Sequence, residues 1–179
     1  MQAQDILDFW FDPDHRSLWY AKSDEFDAKI HALFQTIHQQ ASQGELWSWR
    51  KTAEGRLAEI IILDQFSRNL YRDQAQAFAY DGIALILAQE AISLQLDAQL
   101  SPEQRSFLYM PFMHSESKVI HEFALQLFQR LGNEINLSFE KKHKVIIDRF
   151  GRYPHRNKIL GRDSSAEELE FLTQPNSSF

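Results

Sequence analysis

The chain has 179 residues, 44% hydrophobic and 25% charged, with a formal net charge of −6. That length suffices for one domain whose core needs no covalent staple, and the net acidity argues against a dedicated nucleic-acid binder. There is no cysteine, which excludes disulfides, thiolate metal sites and a cysteine nucleophile.

The opening Met-Gln-Ala-Gln-Asp has no basic region ahead of an apolar one, so no signal peptide is expected. Apolar runs such as Ile83 to Ala88 are too short to span a bilayer. The expectation is a cytoplasmic protein with no membrane partner. Fourteen Phe and four Trp predict a strongly aromatic core.

Nearly every segment reads as helix. Residues 3–11 form a short apolar start, closed by Asp12-Pro13-Asp14. Ser23 is a predicted N-cap, with Asp24 and Glu25 in the first turn, where acids suit the helix dipole. Phe26, Ile30, Leu33, Phe34, Ile37 and Ala41 then give an amphipathic stripe that Gly44 ends. Thr52 caps the next helix, which runs to about residue 71 and is apolar on all sides at its centre, as a buried helix is. Asp73 is expected to start a helix over 75–95 with a small-residue stripe, Ala77, Ala84, Ala88 and Ala91. Ser101-Pro-Glu-Gln104 reads as a capping box, and Pro111 interrupts the helix it opens. A helix over 115–131 presents Ile120, Phe123, Ala124, Leu127, Phe128 and Leu131 on one side. Ser138 is expected to cap a helix over 139–150, which Gly151 and Pro154 break. Ser165-Ala-Glu-Glu168 is a second capping box, opening a last short helix. The fold class is all-α, with antiparallel helix pairs in one bundle-like or superhelical domain over 1–179 and about eight helices.

Two lines in the chain echo each other. Residues 60–72 run from Ile60-Ile-Ile-Leu63 into Asp64, Phe66, Arg68 and Asn69; residues 145–152 run from Val145-Ile-Ile147 into Asp148, Arg149, Phe150 and Arg152. Asp64 with Arg68, and Asp148 with Arg152, are each four apart, the spacing of a helical ion pair. Such pairs either clasp helix ends or form an anion site, for which Arg is the residue suited to bidentate capture. The spacing of the echo suits two halves.

Residues 141–162 concentrate the positive charge. Lys141, Lys142, Lys144, Arg149, Arg152, Arg156, Lys158 and Arg162 lie there against one acid, Asp148. Such a run pairs with acidic surface of its own fold or holds an external anion. Beyond Pro154, the residues His155, Arg156 and Asn157 fall on a loop, where binding residues concentrate. His114, Ser115 and Glu116 open a helix, whose free N–H groups suit an anion. His114, Glu116 and His155 are the candidates for acid–base catalysis. His114, His121 and His143 lack a recognised metal-ligand spacing, so no metal is expected. The Gly-x-Ser-x-Gly, Gly-x-Gly-x-x-Gly and P-loop patterns are absent, and no cofactor is expected. The aromatics Trp10, Phe11, Trp19, Tyr20, Trp47 and Trp49 make either a ligand cage or core, and core is the expectation.

The chain resembles the bacterial family called domain of unknown function 924. The resemblance rests on Ile6-Leu-Asp-Phe-Trp-Phe11, Leu63-Asp-Gln-Phe-Ser-Arg-Asn69, Tyr109-Met-Pro-Phe-Met-His-Ser-Glu116, Arg149-Phe-Gly-Arg-Tyr-Pro-His-Arg-Asn157 with Ile159-Leu-Gly-Arg162, and Ser164-Ser-Ala-Glu-Glu168. Ser67 stands where the family usually has Pro, and Ser165-Ala166 where it has Thr-Pro; Ser165 keeps the capping oxygen. The resemblance implies a helical fold similar to tetratricopeptide-repeat domains and no known activity.

The leading expectation is a helical scaffold whose polar residues hold a small anionic ligand or an acidic peptide. The expected lining is Asp64, Arg68, Asn69, His114, Glu116, Asp148, Arg149, Arg152, His155, Arg156 and Asn157. The alternatives are an acid–base enzyme acting on a small anionic substrate and a purely structural adaptor.

Overall fold

The computed structural model describes residues 1–178, and among them the chain is all-α, with no strand. No helix in it is long and apolar enough to cross a membrane. The chain divides into two units, Met1–Arg72 with Gln76–Pro111, and Asp73–Ala75 with Phe112–Phe179. Each is described by itself.

In the first unit, α1 (Ala3–Trp10) opens with the Gln2 amide donating to the Asp5 carboxylate at 2.7 Å and buries Ile6, Leu7 and Trp10. Helix α2 (Asp24–Ser42) starts at Ser23, whose hydroxyl accepts from the Phe26 amide at 3.2 Å. It ends in a Schellman turn. Gly44 has φ +75°, its amide donates to Ala41 O, and the Glu45 amide reaches back to Gln40 O, satisfying carbonyls that the helix leaves open. Five of the six predicted stripe residues are buried and Leu33 is exposed.

The buried middle is a continuous helical run. Thr52 caps α3 (Ala53–Ile61), a π turn follows at Ile62–Phe66, and α4 (Ser67–Leu70) completes it. Every residue from Gly55 to Ser67 is buried. Helix α3 packs on α1 and on α5 (Asp81–Ser93), while α4 and the π turn pack on α2. Helix α5 is shorter than expected: Ala75–Phe78 is a 3-10 turn. Asp73 does not begin a helix, because it sits at φ +61° in the left-handed region. Ala84, Ala88 and Ala91 face the core as predicted.

The aromatic residues pack as core. Trp10 meets Phe26, Phe66 and Phe107 at 5.5–6.2 Å between ring centroids. Trp19 packs on Phe107 and donates its indole N–H to Trp10 O at 2.8 Å. Trp47, on its 3-10 turn, and Tyr20 stand apart, both exposed, so the core expectation fails for these two. Helix α6 (Pro102–Met113) has the predicted Ser101–Gln104 box. It runs two residues past Pro111, because a proline so near the end removes only one helical N–H from the last turn.

The second unit is built on a helix hairpin. Helix α7 (Lys118–Leu131) ends at Gly132 with φ +73°, and α8 (Glu134–Phe150) packs against it. Asn133, not Ser138, starts α8; its side-chain oxygen accepts from the amides of Ile135 and Asn136 at 3.0 and 3.2 Å. The buried side of α7 is His121, Ala124, Leu127 and Phe128, and Phe123 is 54% exposed. The predicted stripe is thus rotated, because a polar residue, His121, takes an inside position. Ile146, Ile147 and Tyr153 form a core with Phe150 and Phe171 packed on it. Helix α9 (Ala166–Leu172) has the predicted Ser165–Glu168 box, so the Ser-Ala departure leaves the helix start intact.

Gly55 is a point of close backbone approach in the buried run. A Cβ built there would lie 2.0 Å from the Trp49 carbonyl oxygen. Gly55→Ala should therefore destabilise the protein by about 1–3 kcal/mol, the usual range for overpacking, as read from chemical denaturation.

Candidate functional site

The expected site residues divide between the units. Asp64, Arg68 and Asn69 lie in the first; His114, Glu116, Asp148, Arg149, Arg152, His155, Arg156 and Asn157 lie in the second.

In the first unit, Asp64 is fully buried within the π turn. A π turn inserts a residue into the helical ladder and often accompanies a functional position. Gln65 donates to Asp64 Oδ2 at 2.5 Å. Arg68 pairs with Asp64 at 3.2 Å, as its spacing predicts, and also forks onto both oxygens of Asp81 at 3.0 Å. Asn69 and Arg72 converge on Asp27 of α2, at 2.8 Å from Asn69 and 2.5 and 2.8 Å from Arg72. Burial raises the Asp27 carboxyl, but the bonds from Arg72 and Asn69 outweigh it and the net shift is downward. Asp27 and Asp81 escape sequence reasoning: both lie in the first turn of a helix, where an acid has a local explanation already.

In the second unit, Glu116 is the point of convergence. It accepts from the Tyr153 amide at 2.7 Å and from both terminal nitrogens of Arg162, at 2.5 and 2.9 Å. Arg162 also donates to Asn157 Oδ1 at 3.0 Å, and Asn157 donates to Ser164 at 3.1 Å. Burial raises the Glu116 carboxyl, but the Arg162 fork and the Tyr153 amide hold it below its ordinary range overall. Asn157 and Glu116 are thus brought together by Arg162, a residue outside the expected lining.

The expected Asp148–Arg152 pair gives way to two other pairs. Asp148 takes Lys144 at 2.8 Å, and Arg152 forks onto Glu168 of α9 at 2.7 and 2.8 Å. The cause is local: α8 ends at Gly151, φ +69°, so Arg152 lies beyond the helical i,i+4 geometry. Arg149 pairs with Glu167 at 2.7 Å and lies over Phe150. The buried Arg156 guanidinium stacks 4.5 Å above the Tyr153 ring, and the His155 ring lies 5.6 Å from that same ring. His114 is half-buried and adds to the field at His143, whose pKa burial lowers to about 3.

One buried pair has no counterpart in the sequence reading. His121 and Glu140 lie 2.8 Å apart, Nδ1 to Oε1, with both side chains fully buried. His121 Nε2 is 2.9 Å from Ser115 O. A carbonyl only accepts, so Nε2 bears hydrogen; the Nδ1–Oε1 contact then needs a proton of its own, held on the ring or on the carboxyl. Burial pushes the Glu140 carboxyl up despite the bond from His121, and its Oε2 has no partner. The Tyr153 hydroxyl donates to Met113 O at 2.5 Å, and the hydroxyl oxygen lies 3.2 Å from His121 Nε2. His121 and Glu140 are nineteen residues apart, beyond any local periodicity, so no sequence signal couples them.

Two outcomes follow from these contacts. Glu140→Ala should destabilise the protein by about 3–5 kcal/mol, the cost of breaking a buried pair. Glu140→Gln, which can donate to a neutral His121, should cost much less in the same urea titration. The Arg152 fork, supported by the Ser165 amide, holds Glu168 at about 2 against an ordinary 4.5. A carboxyl depressed by folding stabilises fully above its unfolded pKa and loses that contribution as pH falls towards the folded one. Glu168→Gln should therefore melt below the wild type at pH 7, and the gap should close as pH falls from 4.5 towards about 2.

The family described as "Bacterial protein of unknown function (DUF924)" matches residues 6–176. Among solved structures, the chain is similar to a protein of unknown function, ATU0120, from Agrobacterium tumefaciens. The two share 40% sequence identity over 95% of this chain and 96% of that one, with a TM-score of 0.89. A comparison with curated proteins gives no match. With the family pattern running through both units of the fold, the chain belongs to the bacterial DUF924 family.

Proposed function

We propose that the protein is a cytoplasmic helical scaffold, assembled from tetratricopeptide-like hairpins such as α7–α8, that binds an acidic ligand on the second unit. The observation that carries this reading is the contrast within the basic segment. Arg149, Arg152 and Arg162 are paired with Glu167, Glu168 and Glu116, and Lys144 with Glu122 and Asp148. Lys141 and Lys142 have no carboxylate partner among the described residues, and both stand on one open face of α8 with Glu134, Ser138 and Val145. A shallow surface of the first unit carries Asp8 and Asp12 instead, which repel an anion. Paired arginines clamp the fold, whereas unpaired lysines keep their charge for a ligand.

Of the two ligand classes, an acidic peptide fits an open helix face better than a small anion does, because small ligands favour enclosed sites. The enzyme reading has weaker support. The histidine–carboxylate pair in the second unit, His121–Glu140, is sealed from solvent, and general acid–base chemistry needs substrate within hydrogen-bond reach.

The test is binding of a fluorescent poly-glutamate peptide at low salt. Lys141→Glu combined with Lys142→Glu should weaken it by about tenfold or more, an energy of about 1.4 kcal/mol, with melting temperature unchanged. Equal affinity of the double variant and the wild type would contradict the proposal.

A further inference from the structure

The same face of α8 carries apolar side chains that a purely charged ligand would leave uncovered. Ile135 is 70% exposed, Phe139 42% and Val145 66%. Taken at 100° per residue, Ile135, Ser138, Phe139, Lys142 and Val145 occupy one broad stripe, with Lys141 at its edge. Lys142 lies over the Phe139 ring, its ammonium 5.3 Å from the centroid. The acid on this side is Glu134, at the N-terminal end of the stripe.

We propose that the occupant of this face is an acidic amphipathic helix of a partner protein. This rests on the acidic-ligand reading and names the partner's chemistry. Apolar residues recurring every three or four positions would cover Ile135, Phe139 and Val145, and carboxylates beside them would meet Lys141 and Lys142. From Ile135 to Val145 the stripe is about 15 Å long at 1.5 Å per residue, which matches about three turns of a partner helix. Charge complementarity selects the acidic partner: beyond the first turn the stripe offers Lys142 over an aromatic ring and Lys141 at its edge, both without a carboxylate partner among the described residues. Helix-in-groove recognition uses this combination of spaced apolar anchors and flanking charge. Glu134 sets the direction, since the partner's carboxylates belong opposite Lys141 and Lys142 and not opposite the first turn of α8.

The experiment uses the full chain and three synthetic peptides of equal length. One has Leu at helical spacing with Glu between, the second is the same composition scrambled, and the third is poly-glutamate. Binding is followed by fluorescence anisotropy and by circular dichroism. The patterned peptide should bind at least about tenfold more tightly than the other two and gain helix on binding, and Phe139→Ser should remove most of that preference, as loss of an aromatic anchor does. Phe139 is exposed, so the variant should melt within a few degrees of the wild type, as surface substitutions do. If all three peptides bind alike and only the lysine variants weaken them, the amphipathic partner is overturned while the acidic-ligand reading stands. If none binds, both fall. Phe139-dependent sedimentation with anionic phospholipid vesicles, without peptide binding, would overturn the proposal in favour of a lipid surface.

Discussion

The Glu116 carboxylate takes the Tyr153 amide and the Arg162 fork together, and the loops of the second unit are arranged by that contact. After Gly151 the chain leaves α8, and its backbone groups need partners that a helix no longer supplies. Glu116 supplies one. Arg162 extends it to Asn157 and to the Tyr153 carbonyl, and Tyr153 then fills the core beside Ile146 and Ile147. Charge pairing here positions a loop and an aromatic ring, a specificity role that this half-buried pair shares with buried ones.

The first unit uses the same device with different partners. Arg68 reaches Asp81 on α5, and Arg72 reaches Asp27 on α2, so the end of the buried run is tied to two neighbouring helices. The two echoing lines differ where it matters. Asp64 is buried in a π turn and keeps its Arg68 pair; Asp148 is exposed and pairs backwards along α8 with Lys144. Similar sequence therefore does dissimilar work, because one line continues as helix past its Asp and the other stops at a left-handed glycine.

What could be read from the sequence follows the range of each interaction. The caps at Ser23, Thr52, Ser101 and Ser165 act within three residues, and the sequence reads each of them correctly. The all-helical class follows from periodicity, and the aromatic core from composition. The π turn is invisible, because a run buried on all sides has no amphipathic phase to reveal an inserted residue. Phe123 and His121 exchange places relative to the hydrophobic pattern because the His121–Glu140 contact makes a polar interior position tolerable. Apart from the predicted Asp64–Arg68 pair, the carboxylates that answer Arg68, Arg72, Arg152 and Arg162 lie 13 to 46 residues away. Their identity is a tertiary fact. The basic segment was legible as a charge run, but not which of its cations are paired.

That distinction carries the functional conclusion. The arginines of the family motifs that pair with Glu116, Glu167 and Glu168 hold the fold, and Lys141 and Lys142 remain on an apolar face with their charge unanswered. The most direct measurement is a residue-by-residue amide chemical-shift map of the labelled protein titrated with the patterned acidic peptide. Shifts concentrated on residues 134–145 of α8 are expected. Shifts centred on the loop of Arg152, His155 and Arg156, with α8 unmoved, would contradict the assignment of the lysine face as the binding surface.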